Sequence, residues 1–426
     1  MFSKLSQLLL ICFLATMLTK AKTQDTRGKG RYSAGSTDVV EILTGAENMA
    51  QYMPLLAGKK VAVFANHTSV VGKVHLVDTL VKRGVDIRLI FGPEHGFRGN
   101  ADAGEKIDTY IDSATKIKVI SLYGSKKKPT KEDLKDIDVM LFDIQDVGVR
   151  FYTYISSLQY YLEAAIENSK HLIILDRPNP NGHYIDGPVL KTPFRSFIGM
   201  QQIPVVYGMT IGEYALMLVG EEWYDPNSNK WGNSGEEFQI TVVNCLGYSH
   251  KSFYELLVKP SPNLPDMTSV YLYPSICFFE GTVLSEGRGT PTPFQVFGHP
   301  SLPSNLYAFT PVSRDGAKDP KLKNQRCYGW NLSGTPEQTR TLVGEKLQLK
   351  WLLEAYRLFP DKKSFFLPSK NGKPEDYFFN KLAGNSELMQ QIIDGKSEES
   401  IRYSWQKDID AFKKIRKKYL LYKDFE

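Results

Sequence analysis

Residues 139–176 read "VMLFDIQDVGVRFYTYISSLQYYLEAAIENSKHLIILD", and this stretch decides the fold. It opens on an apolar run ending at Asp143 and closes on another, "HLIILD", ending at Asp176. Between them Ile155, Leu158, Leu162, Ala165 and Ile166 recur at helical spacing. Short, continuous apolar runs bounded by turn formers read as strands buried on both faces, and a helix joining two of them is a parallel crossover.

The same alternation extends upstream. "KVAVFAN" (60–66), "IRLIFG" (87–92) and "KIKVISLYG" (116–124) read as three further strands. A helical pattern, "VHLVDTLVKRG" (74–84), separates the first two, and "TKEDLKDI" (130–137) forms a short helix capped by Thr130. Five such strands predict an α/β, Rossmann-like parallel sheet with helices on both faces. No Gly-x-Gly-x-x-Gly follows any of them, so no dinucleotide site is expected. Beyond about Gly247 the chain becomes rich in Pro, Gly and aromatics, then helical again. The helical stretches are residues 340–359, 386–394 stopped by Gly395, and a last helix carrying Ile401, Trp405, Ile409, Phe412 and Tyr419.

Composition sets limits on function. The 426 residues, 42% of them hydrophobic, can bury a large core. Lys4 followed by the apolar residues 8–18 and the polar "TKAKTQD" reads as a secretory signal peptide over residues 1–22, with a mobile leader over 23–36. Acylation at Cys12 is disfavoured by the bulky residues before it and the apolar run after it. The expected product is periplasmic or secreted, without membrane insertion once the signal is cleaved. The formal charge is +6, or +3 without Lys4, Lys20 and Lys22, and it forms no basic stripe of the kind nucleic-acid binders carry. Cys245, Cys277 and Cys327 make neither a disulfide framework nor a metal pattern.

Ligands of parallel α/β sheets bind beyond the carboxyl ends of the strands, and four strand ends here carry polar chemistry. They are Asn66 and His67; Glu94 and His95, with Arg98 close by; Asp143, Asp146 and Arg150; and Asp176, Arg177 and Asn179. Any one of these could be a turn, a cap or a local ion pair. Together they predict a site along one edge of the sheet. No Gly-x-Ser-x-Gly elbow, Walker loop or His-Glu-x-x-His pattern is present, so no metal and no cofactor is expected. Carboxylates near aromatics such as Tyr152, Tyr154, Tyr207, Phe278 and Phe279 suit a saccharide.

The motifs "NHTS", "FGPEHGFRG", "DIQDVGVRFYTY", "LDRPNP", "IPVVYGMTIGE", "PSPNLP", "YPSICFFEGTVLSEGRGTPTPF" and "DYFFNKLAGN" resemble those of the exo-β-N-acetylmuramidases of bacterial peptidoglycan turnover. The resemblance covers nearly everything after the leader. It implies a Rossmann-like catalytic domain (37–255), a smaller C-terminal α+β accessory domain (256–426) and a cleft between them. It also implies release of N-acetylmuramic acid from the non-reducing end of peptidoglycan-derived saccharides. A muropeptide-binding protein without activity, or a wall amidase or esterase, would use the same cleft.

Carried over motif by motif, the resemblance assigns Glu94 as the catalytic acid and His95 as its orienting or contacting neighbour. Asp143 is the first choice for a second carboxylate, with Glu286 behind it. The substrate's lactyl carboxylate calls for an arginine, which can grip it with two parallel hydrogen bonds. Arg288, Arg150, Arg177 and, more weakly, Arg98 are the candidates. Asn66, His67, Tyr152, Asp176, Asn179, Tyr207 and Asn263 complete the expected substrate contacts.

Overall fold

The computed structural model describes residues 41–94, 96–99, 109–225 and 238–426. The expected signal peptide, the leader and His95 lie outside the described residues.

After helix α1 (Met49–Leu56) come strand β1 (Lys60–Ala65), the hairpin β2 (Val70–Val71) and β3 (Val74–His75), helix α2 (Leu76–Lys82) and strand β4 (Asp86–Gly92). Strands β5 (Tyr110–Ile111) and β6 (Lys118–Ser121), helix α3 (Lys131–Leu134), strand β7 (Val139–Asp143), helix α4 (Tyr154–Glu167) and strand β8 (His171–Leu175) follow. Helix α5 (Ile211–Gly220) and strand β9 (Ile240–Val243) complete this part. The seven-stranded sheet has the order β5-β6-β4-β1-β7-β8-β9. All neighbours run parallel except β5, which is antiparallel to β6. Taken by the parallel strands alone, the order is third, second, first, fourth, fifth, sixth. The chain therefore reverses its direction of winding between β1 and β7, and the crevice beyond those two strands is where such a sheet binds ligands.

The period-two geometry of strands sorts side chains to the two faces of this sheet. Val61, Val63, Ala65, Val139, Leu141, Ile173 and Leu175 pack in one cluster. The alternate residues Ala62, Phe64, Met140, Phe142, Leu172 and Ile174 pack in the other. Phe64, Phe142 and Tyr161 interlock at ring separations of 5.1 to 6.1 Å. Burying each such ring contributes about 1.5–3 kcal/mol. The second cluster continues without a break into the C-terminal part, as far as Trp405 and Phe412.

That part contains helix α6 (Met267–Ile276), an antiparallel sheet β10 (Val296–His299), β11 (Tyr307–Phe309) and β12 (Cys327–Asn331) in the order β10-β12-β11, and helices α7 (Pro336–Val343), α8 (Lys350–Leu358), α9 (Phe378–Ala383), α10 (Glu387–Ile393) and α11 (Glu398–Arg416). The five expected strands are β1, β4, β6, β7 and β8, and Thr130 caps α3 in a reciprocal capping box with Asp133. One helical expectation is corrected: residues 340–359 are not continuous, because Gly344 closes α7 in the left-handed conformation at φ +59° and α8 starts only at Lys350. The three described cysteines are buried and unbridged. No helix among the described residues is long and apolar enough to cross a membrane.

Candidate active site

Beyond the carboxyl ends of the strands, a cavity of about 200 Å³ lies between the strand-end loops and the segment 261–294. Glu94, at the end of β4, forms one side, and Tyr152, Thr153 and Tyr154, leading into α4, form the floor. Because α4 starts here, the positive end of its dipole opens onto the cavity and favours anionic groups. Asn263, Tyr273, Glu280 and Arg288 supply the facing wall.

Glu94 is held from a strand end that sequence reading passed over. Tyr123, just past β6, hydrogen-bonds it, and burial together with the Glu94 charge pushes the Tyr123 phenol up to about 12. Tyr123 is thus a neutral donor that fixes the carboxyl. Tyr152 donates to the carbonyl of Pro260 at 2.7 Å, and the His67 ring nitrogen Nε2 meets the carbonyl of Lys259 at 2.9 Å. Both bonds tie the facing wall to the sheet. His67 itself packs on Gly99, where any Cβ would come within 2.7 Å of the ring and φ is +73°. Only glycine fits there.

On the facing wall, Arg288 donates to Glu280 at 2.7 Å and lies 3.4 Å from Glu286. Burial works against the Arg288 charge, but the two acids outweigh it and hold the guanidinium above its ordinary pKa. Its face covers the Phe294 ring at 5.0 Å. Phe294 adopts φ +62°, a left-handed conformation costing a bulky residue roughly 1–2 kcal/mol, and such strain concentrates at functional sites. Tyr152, Tyr154, Tyr273 and Phe294 form a run of edge-to-face rings 4.9 to 5.9 Å apart.

Of the residues expected from sequence, the cavity brings together Glu94, Tyr152, Asn263 and Arg288. The others go elsewhere, for identifiable reasons. Asp143 does not face the cavity: it is fully buried and accepts both Nε and Nη2 of Arg177, at 2.5 and 2.8 Å. This partner more than offsets the cost of burying Arg177 and raises that guanidinium above its ordinary pKa. Asp176, also fully buried, accepts from Thr210, Gly212 and Tyr422, and burial pushes it up to about 6. Arg150 is inside the core, donating to the carbonyls of Pro188, Ile203 and Leu382, and burial lowers it to about 9. Arg98 grips Asp78 with two hydrogen bonds and Asp112 with two more; burial would raise Asp112, but Arg98 and the two hydrogen bonds from Thr115 outweigh it and hold it down at about 2.

Glu286 lies behind the wall, paired with Lys321 at 2.8 Å. Burial would push it up, but Lys321 and Arg288 outweigh that and hold it below the usual carboxylate range. Asn66 makes the turn after β1 and donates to the Tyr154 hydroxyl at 2.9 Å, so it supports the floor without lining it. Asn179 bonds the carbonyl of Met209, and Tyr207 donates to Asp146. Phe278 and Phe279 are core. Tyr123, Tyr273 and Glu280 were missed; Tyr123 obeys the strand-end rule that selected the others.

Two family models span the chain, the N-terminal part of exo-β-N-acetylmuramidase NamZ over residues 61–268 and its C-terminal part over residues 271–422. The chain belongs to the NamZ exo-β-N-acetylmuramidase family. It is 36% identical over 401 residues to the peptidoglycan β-N-acetylmuramidase NamZ of Bacillus subtilis, covering 90% of this chain and 92% of that protein. Crystal structures of two DUF1343 family proteins from Bacteroides fragilis share the fold. One is 42% identical, with a TM-score of 0.79 and coverage of 90% of this chain and all of the other. The second is 30% identical, with a TM-score of 0.74 and coverage of 90% and 99%. The boundary between the two family models falls in α6, so both contribute walls to the cavity.

Proposed function

We propose that this chain is an exo-acting glycoside hydrolase that takes N-acetylmuramic acid from the non-reducing end of peptidoglycan fragments, with Glu94 as its acid. The observation carrying this reading is a cavity sized for one amino sugar, with a carboxylate on one side, an arginine on the other and tyrosines beneath. Glu94 gives its proton to the glycosidic oxygen as the bond from that oxygen to the anomeric carbon breaks. Water supplies the hydroxyl that replaces it, and the remaining proton of that water restores Glu94. Positive charge developing at the anomeric carbon calls for a second carboxylate. Among the described residues lining the cavity, Glu280 is the other acid, so it takes the place expected for Asp143 or Glu286. Arg288 reads the lactyl carboxylate.

The signal-like N-terminus supports export, and N-terminal sequencing of the exported protein should find a start after about residue 21. The activity is tested on a synthetic disaccharide carrying N-acetylmuramic acid at its non-reducing end. Free N-acetylmuramic acid should appear with wild type and be nearly abolished by Glu94→Gln. Release of a peptide instead, or loss of activity on chelation, would favour an amidase or esterase. Tight binding without any hydrolysis would favour a binding protein.

A further inference from the structure

Next to the cavity lies a second depression, about 450 Å³, that no step above uses. It is built from three loops of the C-terminal part and walled by Pro262, Pro265, Pro291 and Pro293, with Arg314 at its edge. Asn263 lines both spaces. The Asn263 side-chain nitrogen is committed to the carbonyl of Gly316 at 2.8 Å, which leaves its amide oxygen to accept from a ligand hydroxyl. A larger depression of about 550 Å³ along α4 shares no lining residue with the cavity.

We infer that this proline-walled groove is the subsite for the leaving part of the substrate, the saccharide on the reducing side of the cleaved bond. The inference rests on the exo-acting reading above. A cavity with room for one sugar needs an open exit for the rest of the chain, and the groove adjoins it at Asn263, which lines both. The proline rings fix the loop backbone, so little conformational entropy is lost when a saccharide settles against them. Among the described residues Arg314 is exposed, has no ion-pair partner and stands at the edge of the groove. Arg314 is therefore suited to a carboxylate on the leaving saccharide, such as the lactyl group or stem peptide of a later N-acetylmuramic acid unit. The groove does no chemistry; it adds affinity for longer fragments.

The test compares kcat/KM on a nitrophenyl muramide, which fills only the cavity, with kcat/KM on a disaccharide and on a tetrasaccharide whose later muramic unit carries a free carboxylate. Wild type should prefer the tetrasaccharide. Arg314→Ala should reduce that preference about threefold to fivefold, the scale of an exposed charge pair, and leave the nitrophenyl substrate unaffected. Arg314→Glu should reduce it further and Arg314→Lys should restore part of it. Equal kcat/KM for disaccharide and tetrasaccharide in wild type, or a full preference kept in Arg314→Glu, would overturn the groove assignment while the hydrolase reading stands. If wild type cleaved none of the three substrates, the hydrolase reading would fall, and this inference with it.

Discussion

Asp143 is the position where strand-end chemistry and three-dimensional geometry diverge, and Asp143→Ala separates them. The carboxyl is 0% exposed and Arg177 3%, and each is the other's charge partner in a bidentate bond. Removing Asp143 leaves a guanidinium sealed in the core with the carbonyl of Val70 as its remaining acceptor. Breaking a buried pair in this way costs about 3–5 kcal/mol. At about 2–4 °C per kcal/mol, Tm should fall by on the order of 10 °C. Turnover of a nitrophenyl muramide, measured well below that Tm and normalised to folded protein, should stay near wild type. The double variant Asp143→Leu/Arg177→Met, which replaces the pair with apolar groups of similar size, should recover most of the lost Tm. A loss of turnover by a hundredfold or more with Tm unchanged would refute the structural assignment and return Asp143 to the chemistry.

Glu94→Gln keeps the shape of the side chain and removes its transferable proton. Turnover on the disaccharide should fall by about 10²–10⁴, and by less on a nitrophenyl substrate, whose leaving group needs little protonation. Arg288→Ala should erode the preference for N-acetylmuramic acid over N-acetylglucosamine by roughly 1.5–3 kcal/mol, read as a ratio of kcat/KM values. Arg98→Ala and Arg150→Ala should lower Tm and leave that ratio in place. Asp146, buried and hydrogen-bonded by Tyr207 and Gly148, is pushed up to about 6 by burial. A raised carboxyl pKa favours the fold most at low pH, so its contribution is complete below about pH 4 and is lost as pH rises through 6. From pH 4 to 6.5 wild type should lose roughly 2 kcal/mol more stability than Asp146→Asn, measured by urea unfolding. Parallel pH profiles for the two proteins would contradict this.

The sheet was legible because β1, β4, β6, β7 and β8 are continuous apolar runs, a pattern imposed by burial on both faces. Strand β9 was not, since it is an edge strand with only Val243 fully buried, and the short sequence "ITVV" carries little signal. The strand-end rule selected the edge of the sheet where the cavity lies but could not tell residues that face the cavity from residues that face one another. Asp143 and Arg177 sit on adjacent strand ends and satisfy each other, as buried charges must. Glu280 escaped notice because it follows α6 in a short helical turn, far from any strand end, and only the packing of the two parts brings it opposite Glu94. Motif resemblance singled out Glu94 and Arg288, and both line the cavity. The geometry separated Arg288 from the three other arginines, because among the four it alone lines the cavity.

The most direct test of the account is a time course, followed by mass spectrometry, on a tetrasaccharide of alternating N-acetylmuramic acid and N-acetylglucosamine with N-acetylmuramic acid at its non-reducing end. A one-sugar cavity predicts free N-acetylmuramic acid and a trisaccharide as the first products, in equal amounts. The reaction should then stop, because the new end is N-acetylglucosamine. Disaccharides among the first products would show internal cleavage and contradict both the exo-acting reading and the role given to the cavity.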